Sequence, residues 1–131
     1  VQFLGWQDDA SIRNHFRKAR ALLFPGFEDF GIVPVEAQAC GLPVIALGKG
    51  GATETVTGLD SKMDPTGVFF EEPSTESLSA AIRKFEHHHK LFDPVAARKQ
   101  ALQFSLKHYE QGMLDEIQRI LGASEFQREA A

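Results

Sequence analysis

The sequence is poor in cysteine, in positive charge and in long apolar runs, and each shortage excludes a class of protein. The single cysteine, Cys40, cannot form a disulfide within the chain, so a disulfide-stapled secreted scaffold is excluded and a cytoplasmic location is expected. The 14 lysines and arginines are outnumbered by 18 acids, giving a net charge of −4, so we expect no nucleic-acid partner. No apolar run approaches the roughly 20 residues that cross a bilayer.

What remains is an ordinary globular composition, with 43% hydrophobic and 24% charged residues in a chain of 131, enough for one domain. Apolar runs predict strands at residues 1–4, 21–24, 43–47 and 68–70. Capping and breaking residues predict helices that begin near Asp8, Pro34, Gly51, Ser74, Asp93 and Ser105. This alternation predicts an α/β fold, a Rossmann-like parallel sheet with helices on both faces.

The predicted domain covers residues 1–121, and residues 122–131 are predicted to form a fraying tail. Four strands are few for a free-standing doubly wound sheet, and the first predicted strand begins at residue 1. We therefore expect a piece of a larger protein whose first β–α units are missing.

Two glutamates mark the most informative segment, Glu28 and Glu36, with seven residues between them. Glu28 lies in a loop after the strand at 21–24, and Glu36 is predicted to be the third residue of a helix that begins at Pro34. Both are expected at the carboxyl edge of the parallel sheet, where open α/β folds bind nucleotides and sugars. Two carboxylates beside a helix N-terminus suit a ligand that carries both hydroxyls and phosphate.

Other polar features have plainer interpretations. The glycine-rich loop at residues 48–51 precedes a predicted helix and is either a ligand loop or a tight turn. Trp6 is either a base-stacking ring or a partly buried surface residue, whereas Phe30 is expected to anchor the core. Three consecutive histidines, residues 87–89, point about 100° apart on a helix, so they cannot converge on one ion, and no metal site is predicted.

The order of short motifs identifies a resemblance. These motifs are Phe3-Leu-Gly5, Glu28-x-Phe-Gly31, Pro34-x-Glu36-Ala, Cys40-Gly41-x-Pro43-Val-Ile, Gly50-Gly51-x-x-Glu54 and Thr66-Gly67. Together they resemble the retaining GT-B glycosyltransferases of the family that contains glycogen synthases and many bacterial mannosyltransferases. The likeness runs from Val1 to about Glu110 and corresponds to the latter part of the C-terminal, donor-binding domain.

The resemblance implies that the parent protein is an enzyme that transfers a hexose from a nucleotide sugar to a glycan or lipid-linked acceptor. GDP-mannose is the favoured donor, with mannose as the transferred sugar, and a UDP-sugar is the second choice. No further cofactor is implied. The acceptor domain and the basic residues that hold the pyrophosphate lie upstream in this family, so the chain by itself is expected to be inactive. Peripheral membrane contact of the parent is also implied.

The resemblance also assigns roles to residues. Glu28 is implied to stabilise the transferred hexose as the catalytic residue, and Glu36 to hold the ribose. The remaining residues implied to bind the donor are Asp29, Phe30, Gly31, Ile32, Gly51, Trp6 and Gln7. Two positions depart from the pattern: most members have glycine at the position of Asp29, and Pro25 is one residue nearer to Glu28 than is common.

Three further expectations accompany this interpretation. A non-catalytic α/β module that binds a nucleotide or a protein is the alternative from another functional class, and a sugar-nucleotide epimerase is a third. Self-association is expected through an uncovered sheet edge or through an apolar stripe on the last helix. That stripe consists of Tyr109, Met113, Ile117 and Ile120.

Overall fold

The computed structural model describes the backbone of residues 1–129 and the side chains of residues 1–122. The chain divides into two compact units, Val1–Ala101 and Leu102–Ala131. The first unit contains a parallel sheet with its helices. The second unit contains a long helix.

Strands and helices alternate along the first unit, as the sequence predicted. In chain order the elements are α1 Asp9–Lys18, β1 Leu22–Phe24, α2 Ile32–Ala39, β2 Val44–Leu47, α3 Ala52–Thr55, β3 Gly67–Phe70, α4 Thr75–His88 and α5 Pro94–Leu102, with a 3₁₀ turn at His89–Leu91. The three strands are parallel and lie in the order β1-β2-β3. The predicted α/β fold is therefore confirmed.

The central strand β2 supplies both faces of the sheet with core residues. Val44 and Ala46 pack in one cluster with side chains of β1, α2 and α3, while Ile45 and Leu47 pack in a second cluster with side chains of β3 and α4. Because successive side chains of a strand point to opposite faces, helices must cover both sides of this strand. Because residues 44–47 are all apolar, β2 contributes core side chains to both faces of the sheet.

The strand predicted at residues 1–4 is wrong. Residues 1–7 are irregular, and Val1, Phe3 and Leu4 are exposed. A strand is stable only when its backbone groups pair with a neighbour, and within the described residues this segment pairs with none of the three strands. The described part of the chain therefore has three strands rather than the four predicted.

Helix α2 begins two residues earlier than predicted. It starts at Ile32, after an N-cap at Gly31 with φ +80°, so Pro34 is its third residue and Glu36 its fifth. Proline is tolerated there because the N–H groups of the first turn have no partner within the helix. The predicted stop at Gly41 is confirmed, since this residue follows the helix with φ +80°.

The second unit contains α6, Leu106–Glu129, which follows Ser105 as predicted. The tail predicted at 122–131 begins inside this helix, and residues 130 and 131 lie outside the described residues. The four residues of the predicted apolar stripe, Tyr109, Met113, Ile117 and Ile120, are exposed on α6. Self-association through them stays a prediction.

Two loops at the carboxyl ends of β1 and β2 are in direct backbone contact. The N–H of Gly51 donates to the carbonyl of Glu28 at 2.9 Å. A Cβ at Gly50 would collide with the Glu28 carbonyl oxygen, and a Cβ at Gly51 would collide with the backbone of Asp29 and Phe30. Since every other residue type has a Cβ, both glycines are required by the close approach of the loops. Gly50 also has φ +64°, which favours glycine for conformational reasons.

Replacing Gly51 with alanine should separate these loops, because the new Cβ has no space against Asp29 and Phe30. We expect the free energy of unfolding to fall by about 1–3 kcal/mol, the usual range for overpacking. Urea denaturation measures this, with Gly48→Ala as the matched control. Its Cβ would lie 3.4 Å from Phe69 Cβ, which is a tolerable contact. Equal stability of the two variants would contradict the close loop contact.

Asp8 should make the stability of the first unit depend on pH. Its carboxylate accepts the N–H of Ser11 at 2.7 Å, and this hydrogen bond lowers the pKa of Asp8. A lowered carboxyl pKa means that the stabilisation is present above the usual aspartate range and is lost as the pH falls through the folded value, below about pH 4. Asp8→Asn keeps the cap without the titration. In urea denaturation between pH 7 and pH 2, the wild type should therefore lose more stability than Asp8→Asn, and parallel curves would refute this.

Candidate functional site

The two loops in contact carry most of the residues that the sequence singled out. Glu28, Asp29 and Phe30 follow β1 and are all exposed. Phe30 was expected to anchor the core, and this is wrong, since its relative exposure is 44%. Its backbone lies against Gly51. The backbone of this loop is therefore held in place while its side chains stay accessible.

Glu36 lies on a separate surface, a groove between α1 and α2. The groove has a volume of about 220 Å³ and is lined by Asp9, Ile12, Arg13, Phe16, Glu36, Ala39 and Cys40. Its walls combine the apolar side chains of Ile12 and Phe16 with two carboxylates and one guanidinium. Such a surface can hold a flat apolar group while a carboxylate accepts hydrogen bonds from neighbouring hydroxyls.

The structure does not bring Glu28 and Glu36 into one cavity. Glu28 is absent from the described residues that line the groove, and its backbone is tied instead to the Gly50-Gly51 loop. The two glutamates lie on either side of the start of α2. Glu28 is in the loop before the N-cap residue Gly31, and Glu36 is in the second turn of the helix. A ligand that contacts both must extend past the start of α2.

The start of α2 has no side-chain cap, since Gly31 occupies the N-cap position. Gly31 is buried, and a Cβ placed on it would lie 3.5 Å from Pro34 Cγ, whereas Ile32 is exposed. N–H groups at an uncapped helix start, together with the positive end of the helix dipole, favour an anionic group. The predicted involvement of Gly31 and Ile32 is compatible with this geometry.

Trp6 and Gln7 lie immediately before the residue that caps α1. Trp6 is 87% exposed, so the interpretation as a partly buried surface residue is wrong. The side-chain amide of Gln7 donates to the carbonyls of Leu4 at 2.8 Å and Trp6 at 2.9 Å, which holds this segment in a local turn. Asp9, two residues after Gln7, lines the groove. The pair is therefore attached to the α1 wall of the groove that contains Glu36.

Sequence reasoning missed the hydrogen bonds that hold the second loop. Thr53 Oγ1 donates to Gly50 O at 2.8 Å, and Thr55 Oγ1 donates to Gly51 O at 3.1 Å. Glu54 is exposed between them. Threonine hydroxyls commonly bond to a carbonyl three or four residues earlier, so the spacing after the glycines was a usable signal.

A second missed residue is Gln38, which is fully buried in α2. Its Nε2 donates to Pro34 O at 3.1 Å and to Thr55 O at 3.0 Å, so it connects α2 with α3. The available signal was a polar residue among the buried positions of α2, where Pro34 and Ala37 are its neighbours. Buried amides are retained where they find specific partners.

The described residues offer no candidate metal centre and no membrane span. No group of three or more histidine, cysteine, aspartate and glutamate side chains lies where it could hold a metal ion in this part of the chain. The Nδ1 atoms of His88 and His89 lie within hydrogen-bond distance of backbone carbonyls, those of Lys84 and Glu86. None of the described helices combines the length and the apolar character needed to cross a membrane.

Comparisons with known proteins agree on one family. A D-inositol 3-phosphate glycosyltransferase of Rhodococcus opacus is 30% identical over 118 residues, which are 88% of this chain and 25% of that protein. A GDP-mannose-dependent monoacylated alpha-(1-6)-phosphatidylinositol monomannoside mannosyltransferase of Corynebacterium glutamicum is 38% identical over 90 residues, 63% of this chain and 22% of that protein. This chain spans about a quarter of the length of these relatives.

A solved structure shows the same fold. Sucrose-phosphate synthase of Thermosynechococcus elongatus superposes with a TM-score of 0.75 and 25% identity over 94% of this chain and 31% of that one. The fold expected from the resemblance, part of a GT-B glycosyltransferase domain, is therefore confirmed. The family model described as glycosyl transferases group 1 matches residues 1–101, which include the groove, both glutamates and the glycine loop, and the chain belongs to this glycosyltransferase family.

Proposed function

We propose that this chain forms the donor-binding part of a retaining hexosyltransferase that uses a nucleotide sugar. The observation that carries the proposal is the order of three features along α2. Glu36 lies in a groove at one side of the helix, the uncapped helix start follows, and Glu28 lies in the loop beyond it. A nucleotide sugar presents its ribose, its diphosphate and its hexose in this same order.

Each part of the donor has a chemically suitable partner in this arrangement. The carboxylate of Glu36 accepts hydrogen bonds from the ribose diol, and the base lies towards Trp6 and Gln7 at the start of α1. The diphosphate lies near the N–H groups of Gly31 and Ile32, where the helix dipole favours negative charge. Glu28 then reaches the hydroxyls of the hexose.

The proposed reaction is a same-face substitution at the anomeric carbon. The bond from that carbon to the diphosphate oxygen breaks, and its electron pair leaves with the diphosphate. The acceptor hydroxyl oxygen forms the new bond on the same face, and its proton passes to the leaving phosphate oxygen. Glu28 stabilises the positive charge that develops on the sugar ring, so its contribution is electrostatic and positional.

GDP-mannose is the favoured donor, and a UDP-sugar is the second choice. The name of the Corynebacterium glutamicum relative specifies GDP-mannose dependence and a phosphatidylinositol monomannoside acceptor. We extend the mannose donor and a glycan or lipid-linked acceptor to the protein that carries this chain. A cytoplasmic location with peripheral membrane contact remains part of the proposal.

The 131-residue chain by itself should bind nucleotide weakly and show no sugar transfer. It spans about a quarter of the length of its relatives, which supports the proposal that the acceptor-binding surface and the upstream basic residues implied by the resemblance lie outside it. Sugar transfer by the isolated chain would overturn this domain assignment. The alternative, a non-catalytic binding module, predicts nucleotide or partner binding in which Glu28 contacts no hexose and Glu36 contacts no ribose.

Contact between Glu36 and the ribose can be tested with a double comparison. GDP and 2′,3′-dideoxy-GDP differ in the diol that Glu36 is proposed to bind. The wild-type chain should bind GDP about tenfold more tightly than the dideoxy compound, because hydrogen bonds to a charged group are stronger than average. NMR titration of the amide signals measures both affinities, with UDP and ADP included to establish base preference.

In Glu36→Ala this difference should disappear. Glu54→Ala is the matched control, since Glu54 is an exposed acid on α3 that does not line the groove. It should keep the preference for GDP. If Glu36→Ala retained the full preference, the assignment of Glu36 to the ribose would be wrong.

Kinetics should separate the two glutamates in a catalytically competent protein that carries this chain. Glu28→Gln should mainly lower kcat, since its charge acts on the transition state, whereas Glu36→Gln should mainly raise the KM for the donor. Initial rates at varied donor concentration measure both constants. Small and equal effects of the two substitutions would show that both residues are surface acids with no role in catalysis or donor binding.

A further inference from the structure

The buried side chain of Gln38 carries a cost for the stability of the fold. Its side chain is fully buried, and of the polar atoms described its Oε1 is buried without a hydrogen-bond partner. An unpaired buried carbonyl oxygen loses its hydration and gains nothing in return, so it lowers the stability of the folded state. The orientation of the amide follows from its Nε2, which donates to two carbonyls, those of Pro34 and Thr55.

Neither of these carbonyls depends on Gln38 for a partner. Thr55 O also accepts from Gln100 Nε2 on α5, at 3.3 Å. Pro34 lies in α2, where a backbone carbonyl normally accepts the N–H four residues later. An apolar side chain of similar volume at position 38 would therefore remove one unpaired oxygen and leave no new one. On stability alone, glutamine is a poor choice at this position.

The amide does, however, complete a hydrogen-bonded path between the two parts of the candidate site. Gln38 is two residues after Glu36 on α2, and its Nε2 binds Thr55 O at the end of α3 at 3.0 Å. Thr55 Oγ1 binds Gly51 O at 3.1 Å. The N–H of Gly51 binds Glu28 O at 2.9 Å. The helix that carries Glu36 is thus tied through α3 to the loop that carries Glu28.

We propose that Gln38 is a positioning residue for donor binding, whose amide fixes α2 against α3 and so sets the placement of Glu36 relative to Glu28. The inference rests on the proposed function, because positioning has meaning only if both glutamates contact one ligand. It differs from a structural role in one respect. Removing the amide should weaken ligand binding without weakening the fold.

Gln38→Met is the test variant, since methionine has a similar length and no amide. The variant should unfold at the same urea concentration as the wild type or at a higher one. Its affinity for GDP should nevertheless fall severalfold, and its preference for GDP over 2′,3′-dideoxy-GDP should shrink. NMR signals of Gly51 and of residues 28–30 should shift in the absence of nucleotide, since the path to this loop is cut.

Gln100→Met is the matched control. Gln100 is a second buried glutamine whose amide reaches the same Thr55 carbonyl, but it lies on α5 rather than on the helix that carries Glu36. Its substitution should leave the preference for GDP unchanged. A Gln38→Met variant that binds GDP like the wild type, or that loses stability in step with affinity, would overturn the inference. Failure of the wild type to bind any nucleotide would overturn the proposed function itself, and the inference with it.

Discussion

The candidate site depends on the contact between the loop after β1 and the loop after β2. This contact is made by backbone atoms, from the N–H of Gly51 to the carbonyl of Glu28, and it leaves no space for a Cβ at Gly50 or Gly51. As a consequence, the backbone and the side chain of Glu28 have different roles. The carbonyl of Glu28 holds the loop in place, while the carboxylate is exposed to whatever binds there. A side chain positioned in this way keeps its freedom to contact a ligand without loosening the loop.

Features decided by neighbouring residues could be predicted from the sequence. Asp8 and Ser74 cap α1 and α4 by accepting N–H groups three residues later, and Gly41 ends α2 in the left-handed conformation. The apolar runs that became β1, β2 and β3 were also recognised, because the strands of a parallel sheet are rich in apolar residues. These determinants act over a few residues, so the sequence displays them directly.

Features decided by distant partners could not be predicted. The apolar residues 1–4 have the propensity of a strand but pair with none of the strands described, and Phe30 is exposed while its backbone lies against Gly51. Gln38 and Thr55 are 17 residues apart in sequence, so no local pattern shows that their side chain and carbonyl meet. The start of α2 was misplaced because Gly31 turns the chain before Pro34 is reached. In each case a tertiary contact or a backbone conformation overrode the local signal.

The geometry of the loop and of α2 constrains the seven-residue interval between Glu28 and Glu36. The interval matters because it sets the direction in which the Glu36 side chain points from the helix. Part of the interval is loop, which must bring the Glu28 carbonyl to Gly51, and the rest is helix after Gly31. One residue inserted within α2 before Glu36 would rotate that side chain by about 100° about the helix axis. The carboxylate would then leave the groove that it shares with Ile12 and Arg13 of α1. An insertion before Gly31 would instead disturb the loop contact, so each half of the interval is fixed by a different neighbour.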